Sequence, residues 1–539
     1  SAIELVGPLD IPALEKVFVE LCNRHESLRT NFINVNGEPF QVIHQSIAIE
    51  IAQINLENLS ADAQKSEYEK ISKETSQASF DLAKDKLLRL KLIRFNEHHH
   101  IVLLVIHHII SDGWSNGNVM LKEICALYEA FSKKRPSPLP ALAIQYADFA
   151  EWQRNLLDGQ HLTKQVSYWT KKLQGIPALL ELPLDFPRPL KQTFAGNTTY
   201  FAINEEILQS LKILGKPLGA SLFMVLQAAF SVLLHRYSRQ ETIVMGSPIA
   251  NRNSKELEDL IGFFVNTLVL KIDLNPDASC QDVITQARDN FLEAYQYQDL
   301  PFERLVEAIK PERNPSFSPI FQVMFILQNQ NEERGGLKIG DLSLSAIPLA
   351  PETSMFDLTL KLEEQESKLF GELEYNTDLF SENTIHHFIE HFQNVLRGFI
   401  SDSKQSISAI PLLGKGELEK IIVGFNQTQR NYPEAETICT LFEKQAKENP
   451  DRIAVLYGEQ QISYGELNSR AAKLASYLKA KGASDETLRA AITSLRLGVG
   501  RPFFEDDSFC FDIGITIERA FFLVRVLNIL LFLGPLGSD

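Results

Sequence analysis

Between residues 11 and 32 the apolar positions Ile11, Leu14, Val17, Phe18, Leu21 and Cys22 keep a helical period, with Pro12 suited to a first turn. Pro39–His44 reads as a short extended segment, and a charged helix is predicted over about 61–83. Leu88, Leu90 and Leu92 alternate with Arg89, Lys91 and Ile93, which predicts a strand over Leu87–Phe95. Ile101–Ile106 is a continuous apolar run, the pattern of a strand buried on both faces. It feeds a polar turn, and a helix resumes over Asn118–Phe131. Lys133–Pro140 is a loop rich in Pro and Ser, a further helix begins at Tyr146, and Pro177–Pro189 reads as an extended crossing segment between two halves. Strands at Thr198–Ile203, Thr242–Met245 and Leu268–Ile272 then alternate with helices at Phe223–Arg236 and Cys280–Tyr297, without a fixed repeat period. A polar linker is predicted over 401–418. After it come a helix (Thr437–Asn449), a strand (Ile453–Leu456) and a helix from Ser463 to about Lys481. The pattern is that of an α/β protein.

Composition narrows the picture. At ~100–200 residues per domain, 539 residues make two to four units. Apolar residues at 44% and charged residues at 23% exclude a largely disordered or collagenous chain. A net charge of −16 argues against a nucleic-acid binder, which needs a basic face. The five cysteines are scattered and form no CxxC, so they read as reduced thiols of a cytoplasmic protein. Ser1–Asp10 has no signal-peptide pattern, and the chain reads as a fragment that begins within a fold. The apolar stretch Ala520–Gly534 contains Arg525 and falls short of the ~20 residues a membrane span needs.

The sharpest chemical signal is HHxxxDG at 107–113, following the buried strand. Neighbouring strand residues face opposite sides, so one of His107 and His108 is expected to line a site and the other to pack. Asp112 is placed either to orient the imidazole or to pin the loop through an arginine, and Gly113 permits a turn and close approach of a ligand. An imidazole is a natural base for taking a proton from an attacking amine, alcohol or thiol. No GxSxG elbow is present, which favours direct transfer between two bound substrates over an acyl-enzyme. The histidine pair, with His98–His100 nearby, raises the question of a metal, but HExxH and partner cysteines are lacking, so no metal is expected.

Six segments in order resemble the core motifs of a nonribosomal peptide synthetase condensation domain: Arg24–Phe32, Ile106–Ser115, Tyr146–Gln153, Ile261–Thr267, Gln298–Glu303 and Arg313–Phe325. The family's first motif is not found. The resemblance implies two chloramphenicol-acetyltransferase-like lobes forming a V, plus a small incomplete adenylation-domain fragment. The implied division is 1–189 for the first lobe, 190–400 for the second, a linker at 401–435, an adenylation fragment at 436–487 and an atypical tail at 488–539, read as a frameshift. It implies peptide-bond formation between two thioesters delivered by donor and acceptor peptidyl carrier proteins on 4'-phosphopantetheine arms, with no covalently bound cofactor. An adjacent adenylation domain is the further expected partner, and neither nucleic acid nor membrane is expected.

By matching, His108 is the catalytic histidine, as base or by positioning the amine, and the Gly113 N–H serves the developing oxyanion. His107 is expected to be structural. Asp112 is expected to salt-bridge an arginine of the second motif, Arg29 first and Arg24 second. Trp114, Ser115 and Asn266 are expected along the substrate channel, although Asn266 reads equally as a residue that satisfies backbone. Tyr146, Phe149 and Trp152, at helical spacing, read as core. His107-His108 excludes a cyclisation domain, Gly113-Trp114-Ser115 disfavours epimerisation, and Leu180–Arg188 resembles the class joining two L-residues. The rival readings are an inactive carrier-docking module or remnant, and a free-standing CoA acyltransferase. The adenylation-like segment lacks an ATP phosphate loop, and no carrier-domain serine motif occurs.

Overall fold

The computed structural model describes residues 2–328, 337–347, 353–365, 367–430, 438–457 and 459–482. The tail read as frameshifted and the end of the adenylation-like segment lie outside them. The chain divides into two compact units, Ser1–Glu419 and Lys420–Asp539.

The first unit holds two six-stranded sheets. In the first, the strand order is Leu337–Ile339, Leu342–Ile347, Ala2–Val6, His99–Ile106, Leu88–Asn96 and Ile51–Asn55. In the second it is Gly196–Ile203, Lys368–Asn376, Leu358–Gln365, Val323–Gln328, Thr242–Ile249 and Asn266–Asp273. Residues 337–347 therefore do not stay with the half to which their position in the chain assigns them. They return to the first sheet, where Ala2 pairs Ile347 and Val6 pairs Ser343.

The apolar run at 101–106 is explained by its place. Strand His99–Ile106 is interior, between Ala2–Val6 and Leu88–Asn96, both antiparallel to it. Ile101 and Leu103 enter one core on the sheet, and Val102 and Leu104 enter the other. Helix Ile11–Arg24 starts as its sequence demands: the Asp10 side chain accepts from Ala13 N–H, Pro12 sits in the first turn, and Leu14, Val17, Phe18 and Leu21 are buried. The charged helix is shorter than predicted, Ala61–Gln77, leaving 78–85 as a loop. In the second core, helix Leu222–Ser238 is buried along most of its length, and Ser221 caps it. No single helix among the described residues is long and apolar enough to cross a membrane.

The segment read as a polar linker is partly folded into this unit. Ile407 and Ile410 are buried in the second core, and Arg236 donates to the carbonyls of Ile407, Ser408 and Ile410 at 3.0–3.1 Å. The second unit contains helix Ile438–Glu448, the antiparallel pair Ile453–Tyr457 and Gln460–Ser463, and helix Tyr464–Ala480.

Candidate active site

Strand His99–Ile106 delivers His107 and His108 to one short turn, His108–Ile110. His107 is half-buried. Its backbone N–H donates to the Leu87 carbonyl at 2.9 Å, and its Nδ1 accepts from the Ile109 N–H at 3.1 Å, which caps the turn. Burial, and then the neighbouring His108, push its imidazole below the ordinary histidine range. His108 is exposed, and its ring stands edge-on to Phe263 with centroids 5.2 Å apart. No described side chain hydrogen-bonds the His108 ring. It is a solvent-open imidazole on a fixed turn, steered by an aromatic ring from the other half of the unit.

Asp112 is 1% exposed and does not meet the second-motif arginines. Its partner is Arg252, 3.2 Å away with a side chain 2% exposed. Arg29 instead bonds Glu26 at 3.2 Å and the His44 carbonyl, and Arg24 bonds Glu123 at 2.8 Å and the Pro140 carbonyl. The expected bridge is thus corrected. The reason is orientation: Arg29 ends a 3-10 turn and heads toward Glu26 and the His44 carbonyl, whereas Arg252 follows strand Thr242–Ile249 toward the site. Burial lowers the Arg252 guanidinium from its ordinary value, and the Asp112 charge opposes this.

Around this pair a polar network closes. Asp112 Oδ1 accepts from the Ser115 N–H at 2.8 Å and the Ser115 hydroxyl at 2.7 Å, while Oδ2 accepts from the Phe264 N–H at 2.9 Å. The Ser115 oxygen accepts from Arg252 at 2.8 Å and from the Gly262 N–H at 3.1 Å. The Arg252 guanidinium also lies 4.0 Å over the Phe264 ring and donates to the carbonyls of Leu257 and Leu260. Residues 261–264 are held from three further places. Ser27 Oγ donates to the Ile261 carbonyl at 2.6 Å, His25 Nδ1 accepts from the Ile261 N–H at 3.4 Å, and Tyr146 Oη donates to the Phe263 carbonyl at 2.9 Å. Burial, and then the Asp112 charge, push the Tyr146 phenol up to about 12, so it stays a donor. A side-chain carbon on Gly262 would stand 2.2 Å from the Tyr146 ring, so glycine is required there by close approach.

The other expected site residues fall into place unequally. Gly113 is exposed, opens the following helix without a positive φ, and a methyl on it would meet nothing within 4 Å. The space a side chain would occupy is open, and the turn itself does not require glycine. Trp114 is 38% exposed and its indole N–H donates to the Glu258 carbonyl at 3.1 Å. Ser115 is fully buried in the network, so it lines no channel. Asn266 is spent on backbone: its amide donates to the carbonyls of Gln298 and Leu300, and its oxygen accepts from the N–H groups of Thr267 and Phe302. All its capacity is used, and no group is left for a substrate. No group of acidic, histidine and cysteine side chains among the described residues forms a metal site.

Sequence reasoning missed Arg252. The signal was indirect: a carboxylate after a buried strand needs a cation, and Asn251-Arg252-Asn253 follow an apolar strand, with Arg252 ten residues before Gly262. It missed the Glu123 carboxylate as well, which gathers Arg24 and the buried His25, each at 2.8 Å.

Comparison with known proteins identifies the family. The chain matches the condensation-domain family over residues 1–422 and the AMP-binding enzyme family over residues 442–493. It is 43% identical over 485 residues to a linear gramicidin synthase of Brevibacillus parabrevis, covering 89% of this chain and 9% of that protein. It is 36% identical over 496 residues to a plipastatin synthase of Bacillus subtilis, covering 92% and 19%. The chain thus spans about a tenth of the length of the first curated relatives it matches. Among solved structures, the X-domain from teicoplanin biosynthesis, in complex with OxyB, superposes with a TM-score of 0.70 at 27% identity, covering 77% of this chain and 90% of that one. A four-domain nonribosomal peptide synthetase bound to AMP and glycine shares the fold, with a TM-score of 0.79 at 22% identity over 90% of this chain and 37% of that one. With a short AMP-binding match after it, the chain belongs to the condensation-domain family of nonribosomal peptide synthetases.

Proposed function

We propose that this chain forms a peptide bond between a carrier-bound acyl or peptidyl thioester and the amine of a carrier-bound aminoacyl thioester. The observation that carries the reading is the unengaged imidazole of His108 on a rigid turn, opposite Phe263. The acceptor nitrogen attacks the donor carbonyl carbon, the C–N bond forms, and the C–S bond breaks. The amine proton passes to His108 or leaves through it, and the departing sulfur is released as thiol, so amide plus thiol balances amine plus thioester. Gly113 follows at the start of the next helix, where its N–H would serve the developing oxyanion. Holding two reactants at one site supplies ~7–11 kcal/mol of the barrier through proximity. The network around Asp112 and Arg252 keeps His108 and Phe263 in register across the two halves.

The thioesters would arrive on phosphopantetheine arms of donor and acceptor carrier proteins in the cytoplasm, with an adenylation domain adjacent. The rival reading is a docking module without catalysis. It draws on the likeness to the X-domain, which forms a complex with OxyB. A single-turnover assay separates them. A donor and an acceptor carrier are loaded with different aminoacyl groups, and the dipeptidyl thioester is followed by intact-protein mass spectrometry. Product that disappears in His108→Ala supports catalysis. A folded chain that binds both carriers and makes no product supports docking.

A further inference from the structure

Residues 78–85 form a loop between helix Ala61–Gln77 and strand Leu88–Asn96, and they present one aromatic ring to the site. The Phe80 ring meets the His107 ring edge to face, with centroids 5.8 Å apart and planes at 90°. The Arg89 guanidinium lies 3.7 Å from the Phe80 centroid. Arg89 also donates to the carbonyls of Ala78 at 2.7 Å and Ser79 at 2.6 Å, and Asp85 stands 3.5 Å away. From the other side, Asn31 donates to the carbonyls of Leu82 at 3.0 Å and Asp85 at 2.8 Å. The loop is therefore gripped on both flanks, and its ring is a fixed wall.

His107 works against that wall. Its Nδ1 caps the turn that begins with His108. Only one orientation of the ring places Nδ1 over the Ile109 N–H, and an imidazolium has no acceptor nitrogen to offer. The titratable and charged groups around the ring are His108 beside it in the chain and, behind Phe80, Arg89 with Asp85.

Resting on the assignment of His108 to the chemistry, we infer that Phe80, clamped by Arg89, is a positioning residue for the condensation reaction. It fixes the His107 ring so that Nδ1 caps the turn bearing His108. A ring free to rotate would release the turn, and small displacements of a reacting group are costly in rate.

The test compares the full chain with Phe80→Leu, which keeps bulk and loses the ring, and with Phe80→Tyr, which keeps the ring. Arg89→Lys removes the forked grip while keeping the charge, and it stands in if Phe80→Leu does not fold by circular dichroism. Two readouts are taken: the pH dependence of kcat for dipeptide formation, with KM for the loaded acceptor carrier, and the titration of His107 by NMR of histidine-labelled protein. Phe80→Leu is expected to lower kcat by about three- to tenfold with KM unchanged. Its acid limb and the His107 titration should both move up toward the ordinary histidine range, and Phe80→Tyr should restore both. An active wild type with kcat and titration unchanged in Phe80→Leu overturns the inference, as does a loss that Phe80→Tyr shares. A wild type that makes no product overturns the functional reading, and this inference with it.

Discussion

Removing the Asp112 carboxylate should damage the first unit more than any exposed charge could. Asp112 is 1% exposed, and its Arg252 partner has a side chain 2% exposed. Asp112→Ala leaves the buried guanidinium bonded to carbonyls and the Ser115 hydroxyl oxygen but to no carboxylate, and breaking one side of a buried pair costs ~3–5 kcal/mol. It also strips the acceptor from the Ser115 and Phe264 N–H groups, so the upper part of that range is expected. Arg252→Met is gentler, because Asp112 keeps three donors: the Ser115 N–H and hydroxyl and the Phe264 N–H.

Urea unfolding followed by circular dichroism gives each cost, and a double-mutant cycle isolates the pair. Asp112→Ala with Arg252→Met should cost less than the sum of the two, with a coupling of ~1–3 kcal/mol. Arg29→Met provides the contrast. Its ion pair with Glu26 is partly exposed, so it should cost only ~0–1 kcal/mol and should add to Asp112→Ala within about 0.5 kcal/mol. Zero coupling between Asp112 and Arg252, or equal coupling between Asp112 and Arg29, refutes the assignment of the lock.

Acidification should destabilise the fold. Burial lowers both His107 and the buried His100 below the ordinary value near 6.5, so the unfolded chain binds protons that the folded chain does not. Stability should be level at and above that value and fall as pH drops from 6.5 toward 5, and a urea midpoint that is flat across this window contradicts the burial argument. Burial raises the thiols of Cys22 to about 12 and of Cys125 and Cys280 to about 11, so all three should react with a disulfide reagent at pH 8 only as the protein unfolds. Tryptic mass mapping of the labelled sites checks this. Asn266→Ala should lower stability by ~2–4 kcal/mol, since four backbone groups lose their partner. The acceptor-carrier KM of its folded fraction should stay unchanged, and a raised KM would return Asn266 to the substrate channel.

The strand that carries the histidines was legible because burial on both faces leaves a mark on every residue from Ile101 to Leu104. The turn was legible because a polar cluster interrupts that run. Partners across the chain leave no such mark. Arg252 lies 140 residues from Asp112 and outside the recognisable motifs, and any arginine satisfies the charge requirement on paper, so the resemblance to the second motif favoured the wrong one. Leu342 and Leu344 alternate as a strand should, but alternation does not say which sheet edge receives it. Polar composition at 401–418 likewise concealed two buried isoleucines, Ile407 and Ile410. What the structure adds is that most of the recognisable segments converge on one loop. Ser27 and His25 hold Ile261, Asp112 and Ser115 hold Gly262 and Phe264, and Tyr146 holds Phe263. A buried polar network is costly when half satisfied, so each of these residues is constrained by the others whether or not it meets substrate. The segments that reveal the family are therefore mostly the joint between its halves. In the proposed function the chemistry rests on the exposed His108 imidazole, which that joint sets edge-on to Phe263.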